Sequence, residues 1–291
     1  MDKEEWLAEQ FEANRSHLRA VAYRMLGSLS EAEDAVQESW FRLSRTDTTE
    51  VENLTGWLTT VIARVCLDLL RSRKSRREES LDADVTQGIA GVGNPEQEAV
   101  LADSVGLALL VVLDTLTPAE RLAFVLHDMF AVPFDEIGSI VGRTPDAARQ
   151  LASRARRRVR GEATAAKGDL RRQREVVDAF LTALRAGDFE GLLAVLDPDV
   201  FVHIDPGAGR PGKPTEIRGA RNWAQGAVAF SRLARFVQPA LVNGSVGLVL
   251  APRGRLLRAL TFTIDGGRIV EVSVIADPKR LSQLDLAVVK D

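Results

Sequence analysis

Apolar residues recur at three- and four-residue steps through the first 160 positions, the spacing that lays a hydrophobic stripe along an α-helix. Leu18, Val21, Ala22, Met25 and Leu26 form the first stripe, and Gly27 supplies a C-terminal stop. Ser30 and Glu33 have the spacing of a capping box. After them Ala32, Val36, Trp40 and Leu43 make a second stripe, with Glu31, Asp34 and Glu38 on another face. A third helix, predicted from about Thr55, turns Leu58, Val61, Ile62, Val65 and Leu69 inward and ends in Arg71, Arg73, Lys74, Arg76 and Arg77.

Glu78 to Pro95 holds Gly88, Gly91, Gly93, Asn94 and Pro95 with little periodicity, so it reads as a linker and a domain boundary. Helical pattern resumes near Glu96. Thr117-Pro118 with Glu120, Pro133 before Phe134-Asp135-Glu136, and Thr144-Pro145 each predict a helix start with proline at its first position. The short helix from Pro133 to Ile140, the Gly142 turn and the helix opening at Thr144 have helix-turn-helix proportions. Past Gly168 the texture changes. Two helices, through Val176 to Leu184 and Leu192 to Leu196, precede five β-rich runs: Val200 to Ile204, Phe236 to Val242, Val246 to Leu250, Leu256 to Ile264 and Ile269 to Ile275. Asn243-Gly244 and Asp265-Gly266-Gly267 are hairpin-turn sequences between them, and the pattern predicts an α+β unit with an antiparallel meander.

The chain has 291 residues, enough for two or three domains, and its 45% hydrophobic and 27% charged residues exclude a disordered, collagenous or membrane-embedded class. No apolar run reaches the roughly 18 residues of a membrane span and the acidic start is unlike a signal peptide, so a cytosolic protein with no membrane partner is expected. The single Cys66, between Val65 and Leu67, has no partner for a disulfide or zinc site and is expected in the core. The net charge of −3 conceals a division. The first 60 residues carry twelve acidic against six basic side chains, while Arg71 to Arg77 and Arg143 to Arg160 form two basic clusters. Separate basic patches on an acidic chain point to local contact with a polyanion.

In a helix-turn-helix the first turns of the second helix enter the major groove. Arg149 and Gln150 are therefore candidate base readers, Ser153 and Arg154 lie on the same approach, and Arg156, Arg157, Arg158 and Arg160 suit phosphate contact. The order of these parts resembles the extracytoplasmic-function (ECF) sigma factors of the sigma-70 family. Ser30-Glu31-Ala32-Glu33-Asp34-Ala35-Val36-Gln37-Glu38, then Gly56-Trp57-Leu58 and a basic helix end, resemble region 2. Leu116-Thr117-Pro118-Ala119-Glu120-Arg121, Phe134-Asp135-Glu136-Ile137 and Ala148 to Arg156 resemble region 4. The resemblance implies that Asp34, Gln37 and Glu38 dock on the β′ clamp helices of the RNA polymerase core. It implies further that Arg71, Arg73, Lys74, Arg76 and Arg77 lie over the −10 element of promoter DNA and that the helix from Thr144 reads the −35 element. The loop Thr46 to Asn53 would capture a flipped base, and Trp57 is either a stacking platform or core.

Residues 170–282 resemble the SnoaL-like (nuclear-transport-factor-2-like) cone fold carried by one subgroup of these factors. Asp277-Pro278-Lys279-Arg280-Leu281 resembles the segment closing that extension, and the resemblance implies a regulatory contact there with the sigma domains. The linker lacks the subgroup's Trp-Leu-Pro-Glu-Pro run, and Asp205-Pro206-Gly207-Ala208-Gly209 is a looser form of its glycine motif. Alternation along the first strand puts Phe201, His203 and Asp205 on one face. The only tyrosine is Tyr23, so no tyrosine oxyanion hole or complete acid–base set is available in the cone. No catalytic residue, metal or cofactor is expected.

The expected architecture is multidomain: two all-α sigma domains, a region 2 bundle at 1–77 and a region 4 helix-turn-helix at 96–162 after a linker at 78–95, then an α+β cone at 170–282. The function this implies is that of an alternative sigma factor in the bacterial cytoplasm, directing promoter recognition and initiation under the influence of its C-terminal domain. Two other readings stay open at this point. One is a one-component helix-turn-helix regulator with a ligand-binding cone; the other is a cyclase or hydrolase tethered to DNA.

Overall fold

The computed structural model describes residues 3–46, 51, 53–79, 106–161, 167–206, 215–252 and 255–289. They divide into two compact units. The first holds the N-terminal helices and residues 116–156, and the second holds residues 106–115 and everything described from Arg157 onward.

In the first unit, α1 (Lys3–Leu26), α2 (Leu29–Ser44) and α3 (Leu54–Glu79) pack pairwise. Leu18, Val21, Met25, Val36, Leu43, Leu58 and Ile62 are buried between them, as the helical spacing predicts. Leu69 is only half-buried, and Leu70 faces the core in its place. The cap of α2 differs from the sequence expectation. Its N-cap is Ser28, two residues before Ser30, and the Ser28 hydroxyl accepts from the Glu31 amide at 3.5 Å. Ser30 lies inside the first turn and hydrogen-bonds Ser28 at 3.0 Å; two serines with acidic residues three positions on gave two possible registers, and buried Leu26-Gly27 settles the earlier one.

The unit continues with α5 (Pro118–Phe124), a π-helical turn (Val125–Met129), α6 (Phe134–Val141) and α7 (Pro145–Arg160), of which residues up to Arg156 belong here. Thr117 and Glu120 form a capping box with both bonds present, and Pro118 is the first residue of α5. Pro133 is the N-cap of α6 rather than its first residue. Gly142 takes φ +68°, which lets the chain turn sharply between α6 and α7. A Cβ at Gly138 would lie 2.7 Å from the Arg143 carbonyl oxygen, so the tight turn needs glycine there too.

The second unit opens with α4 (Leu107–Thr115), a helix whose sequence LALLVVLDT has no polar face until its end. Such a helix is stable only when covered. After it come the last turn of α7, α8 (Lys167–Ala186), α9 (Phe189–Val195) and a seven-stranded sheet. The strands are β1 (Leu196–Ile204), β2 (Thr215–Arg218), β3 (Val237–Val242), β4 (Ser245–Leu250), β5 (Arg258–Asp265), β6 (Arg268–Ile275) and β7 (Leu286–Ala287), in the spatial order β2-β1-β6-β5-β4-β3-β7. A helix α10 (Ala220–Val228) follows β2, and α11 (Pro278–Ser282) precedes β7.

From β3 to β6 the strands form the expected antiparallel meander, with Asn243 and Gly244 both at positive φ in the hairpin turn. The sheet as a whole is mixed, because β1 runs parallel to β6. Both faces are buried, as the nearly unbroken apolar run of β4 requires. Val246, Leu248, Val272 and Val274 join Phe180 and Leu184 of α8 on one face. Alternate residues Ala240, Val242, Val249 and Ala259 face the other way, onto Val111 and Val112 of α4, with Val159 and Val288 packed against them.

The end of α7 is fastened to the C-terminal strand. The Val288 amide donates to the Val159 carbonyl at 3.1 Å, and Gly161, at φ +63°, lies so close to Ala287 that a Cβ there would collide with it. Truncation after Lys167 should therefore expose Val111, Val112 and Val159. The shortened chain is expected to bind a hydrophobic dye strongly and to melt several degrees below the full chain; equal dye binding and melting would show that the sheet does not cover α4.

Candidate functional site

The acidic face of α2 takes shape because its apolar positions are fully used: Ala32, Ala35, Val36, Ser39 and Leu43 are buried, which turns Asp34, Gln37 and Glu38 to solvent. Phe41 lies one turn beyond Gln37 on the same face and is 54% exposed. Glu38 pairs with Arg42 at 2.9 Å, an exposed contact between neighbouring turns that adds little stability. Beside this face, Ala8, Phe11 and Arg15 of α1 with Val36, Trp40 and Phe41 line a cleft of about 370 Å³. The Phe11 and Trp40 rings form its floor, with centroids 5.1 Å apart.

The basic end of α3 is only partly free. Arg71 is exposed and reaches Asp68 at 4.0 Å. Arg73 is turned inward, donating to the Leu26 carbonyl at 3.1 Å and pairing with Glu31. The side chains of Lys74, Arg76 and Arg77 lie outside the described residues, as do 47–50 and 52 of the loop before Trp57. Trp57 itself is half-buried.

Along α7 the candidate cations separate into two groups. Ala148, Leu151, Ala152 and Ala155 are buried, so Arg149, Gln150, Ser153 and Arg157 point outward. Arg149 pairs with Asp146 and sits 5.4 Å over the Phe134 ring, which itself stacks on His127 at 3.8 Å. These contacts hold the guanidinium at the N-terminal end of the helix. By contrast, Arg154 reaches Glu120 at 3.1 Å and Arg156 reaches Asp128 at 2.6 Å, ion pairs that tie α7 to the elements before it.

Sequence reasoning did not single out Glu120 or Asp128 as partners of these arginines, nor Arg121. Arg121 is 2% exposed and donates to the Arg24 carbonyl at 3.3 and 3.1 Å. Cys66 is fully buried, and burial pushes its thiol up to about 12, with Arg121 and Arg73 drawing it partly back. It is core, as expected.

In the sheet unit, Asp205 is 2% exposed and paired with Arg280, and it accepts from the Ala276 amide at 3.3 Å. His203 Nε2 is 3.9 Å from Asp205, too far for a hydrogen bond. Asp277 caps α11 by accepting from the Arg280 amide at 2.9 Å, and Pro278 is the helix's first residue. Lys279 is exposed and Leu281 packs at the margin of the second sheet face. Among the described residues no group of His, Cys, Asp and Glu could hold a metal, and no helix is long and apolar enough to cross a membrane.

Sigma-70 region 2 matches residues 10–76 and Sigma-70 region 4 matches residues 106–159. The "Probable ECF RNA polymerase sigma factor SigI" of Mycobacterium tuberculosis is 36% identical over 294 residues, spanning 98% of each chain. The chain belongs to the ECF sigma factors. SigJ of the same organism is 36% identical over 300 residues, 94% of this sigma factor and 92% of that one. The crystal structure of SigJ covers 94% of this chain and 98% of its own at 32% identity, with a TM-score of 0.46. The sheet unit is similar to nuclear-transport-factor-2-like folds, among them a protein of unknown function from Cytophaga hutchinsonii (14% identity, TM-score 0.25, 38% of this chain and 93% of that one). As an alternative sigma factor the protein binds the polymerase core and promoter DNA and is a non-enzymatic initiation factor.

The environment of Asp205 is that of a structural carboxylate. Asp205→Ala should cost about 1.5–3 kcal/mol in urea denaturation, since it leaves buried amides without an acceptor and Arg280 without its partner. His203→Ala is expected to change stability by less than about 0.5 kcal/mol.

Proposed function

We propose that this sigma factor docks on the β′ clamp helices of RNA polymerase through the exposed face of α2, with Asp34, Gln37 and Glu38 meeting basic partners around an apolar centre at Phe41. The observation that carries the reading is the joint exposure of these four residues on a helix whose other faces are buried. A charged rim around an exposed aromatic is the usual make-up of an interface centre. The basic end of α3, Arg71 with Arg73, Lys74, Arg76 and Arg77, contacts the −10 element. Arg149 and Gln150, with Ser153, read the −35 element in the major groove, and Arg157 holds phosphate. Arg154 and Arg156 reach DNA only with the exposed parts of guanidinium groups already paired to Glu120 and Asp128.

The C-terminal domain acts on initiation inside the cytoplasm of the bacterium by holding region 4 elements. Support comes from α4 and Val159 packing on its sheet and from the Val288–Val159 hydrogen bond. The segment Asp277, Pro278, Lys279, Arg280 and Leu281 contributes by anchoring that sheet's C-terminal end, through Arg280 on Asp205 and Leu281 against the apolar face.

Run-off transcription with core polymerase and a matched promoter tests the docking face. Asp34→Lys with Glu38→Lys should abolish both transcription and retention on immobilised core polymerase while leaving helical content intact. Wild-type retention would return α2 to a merely solvated helix. For the DNA helix, Arg149→Ala should relax discrimination at one −35 base pair by about 1–3 kcal/mol, whereas Arg157→Ala should weaken all duplexes alike and reduce the salt slope by about one. Equal losses on specific and scrambled duplexes for Arg149→Ala would remove its base-reading role.

A further inference from the structure

Region 2 and region 4 are two separate recognition modules, yet residues 116–156 pack into the same compact unit as α1, α2 and α3. The seam is built on the C-terminal half of α1. Arg121 of α5 enters it with its guanidinium buried and donates to the Arg24 carbonyl, one of the end carbonyls that a helix leaves without a partner. Phe130 lies beside it, with its ring meeting His17 edge-on at 5.3 Å and the Arg24 guanidinium 5.2 Å above its face. His17 is held from behind by Thr59 of α3 at 3.1 Å. Helix α3 also packs on α5 and α6.

This arrangement does not match the job of the two modules. Elements centred about 25 base pairs apart lie roughly 85 Å apart along B-form DNA. A compact unit of roughly 140 residues has a radius of gyration near 15 Å and a diameter of about 40 Å. One such unit cannot place α3 on the −10 element and α7 on the −35 element together. The seam also carries a mark of a contact made to be broken: Arg24 Nε is buried there without an acceptor, a cost that opening to water removes.

We infer that the packed region 2 and region 4 are a closed state of the free sigma factor, latched by Arg121 and Phe130 on the end of α1, and that promoter engagement opens it. The inference rests on the reading of α3 and α7 as the −10 and −35 contacts. Because the partner in the seam is the chain itself, the closed state competes with productive binding for the same protein, and the affinity for promoter complex is reduced by the fraction held closed.

Spin labels at Ala13→Cys on α1 and Ser139→Cys on α6, both exposed positions, report the seam in the full-length chain; the buried Cys66 stays unlabelled. The free protein should give one short distance. With core polymerase and promoter DNA bound, that distance should lengthen by about 30 Å or more. Phe130→Ala in the same labelled chain should broaden the free distribution toward long distances. An identical distance with and without polymerase, in samples where gel filtration shows the complex, overturns the closed state, as does an unchanged free distribution in Phe130→Ala. Failure to form the complex at all would instead overturn the polymerase and promoter reading on which the inference stands.

Discussion

A guanidinium buried to 2% exposure and donating to the end of another helix is the contact around which the first unit is organised. A buried cation is tolerated only when its donors are matched. Arg121 meets that condition with the Arg24 carbonyl, where the negative end of the α1 dipole favours positive charge. Arg73 does the same at the Leu26 carbonyl from the opposite side, so two arginines from distant parts of the chain close one helix terminus. Neither can then be treated as a free basic residue, although both sit in sequence stretches that look like DNA-binding charge. Their joint pull is felt as far as Cys66, whose thiol they draw down against the larger effect of burial.

The same logic sorts the arginines of α7. A run of cations spaced along one helix has no unique reading until the helix is placed against acidic neighbours. Glu120 and Asp128 provide those neighbours, and they select Arg154 and Arg156. Arg149 escapes this fate because its contacts, Asp146 and the Phe134 ring, are local and leave it at the groove-facing end. One helix thus divides its charge between structure and recognition, which is why removing an arginine near its start and one near its end should have different signatures.

Much of this was legible in the amino-acid order where the controlling interactions are local. The Thr117–Glu120 cap, the Gly142 turn, the α2 and α3 stripes and the Asn243-Gly244 hairpin each depend on residues within a few positions of one another. Long-range placement was not legible. Strand β2 has four residues and β7 two, too short to show alternation, and each exists only because a neighbouring strand pairs with it. The parallel β1–β6 pairing joins residues some 70 positions apart. Arg121 reads as an ordinary polar position in a helix, and only the approach of α1, 97 residues earlier in the chain, makes it a buried cap.

Helix α4 shows how the missing information can still be bounded. Nine residues with seven aliphatic side chains cannot stand as a surface helix, so some cover had to exist. The sheet supplies it on the side of Val111 and Val112, through strand positions that alternate with those facing α8. A sheet with one face bare would be an aggregation hazard, and a helix with no polar side would be another. Each therefore solves the other's problem, and a stretch matched by Sigma-70 region 4 becomes part of the C-terminal fold. Any change that loosens the sheet edge at β7 must act on α4 and on the last turn of α7 together, since Leu286 touches the same apolar face that carries Val111 and the Val288 amide holds Val159.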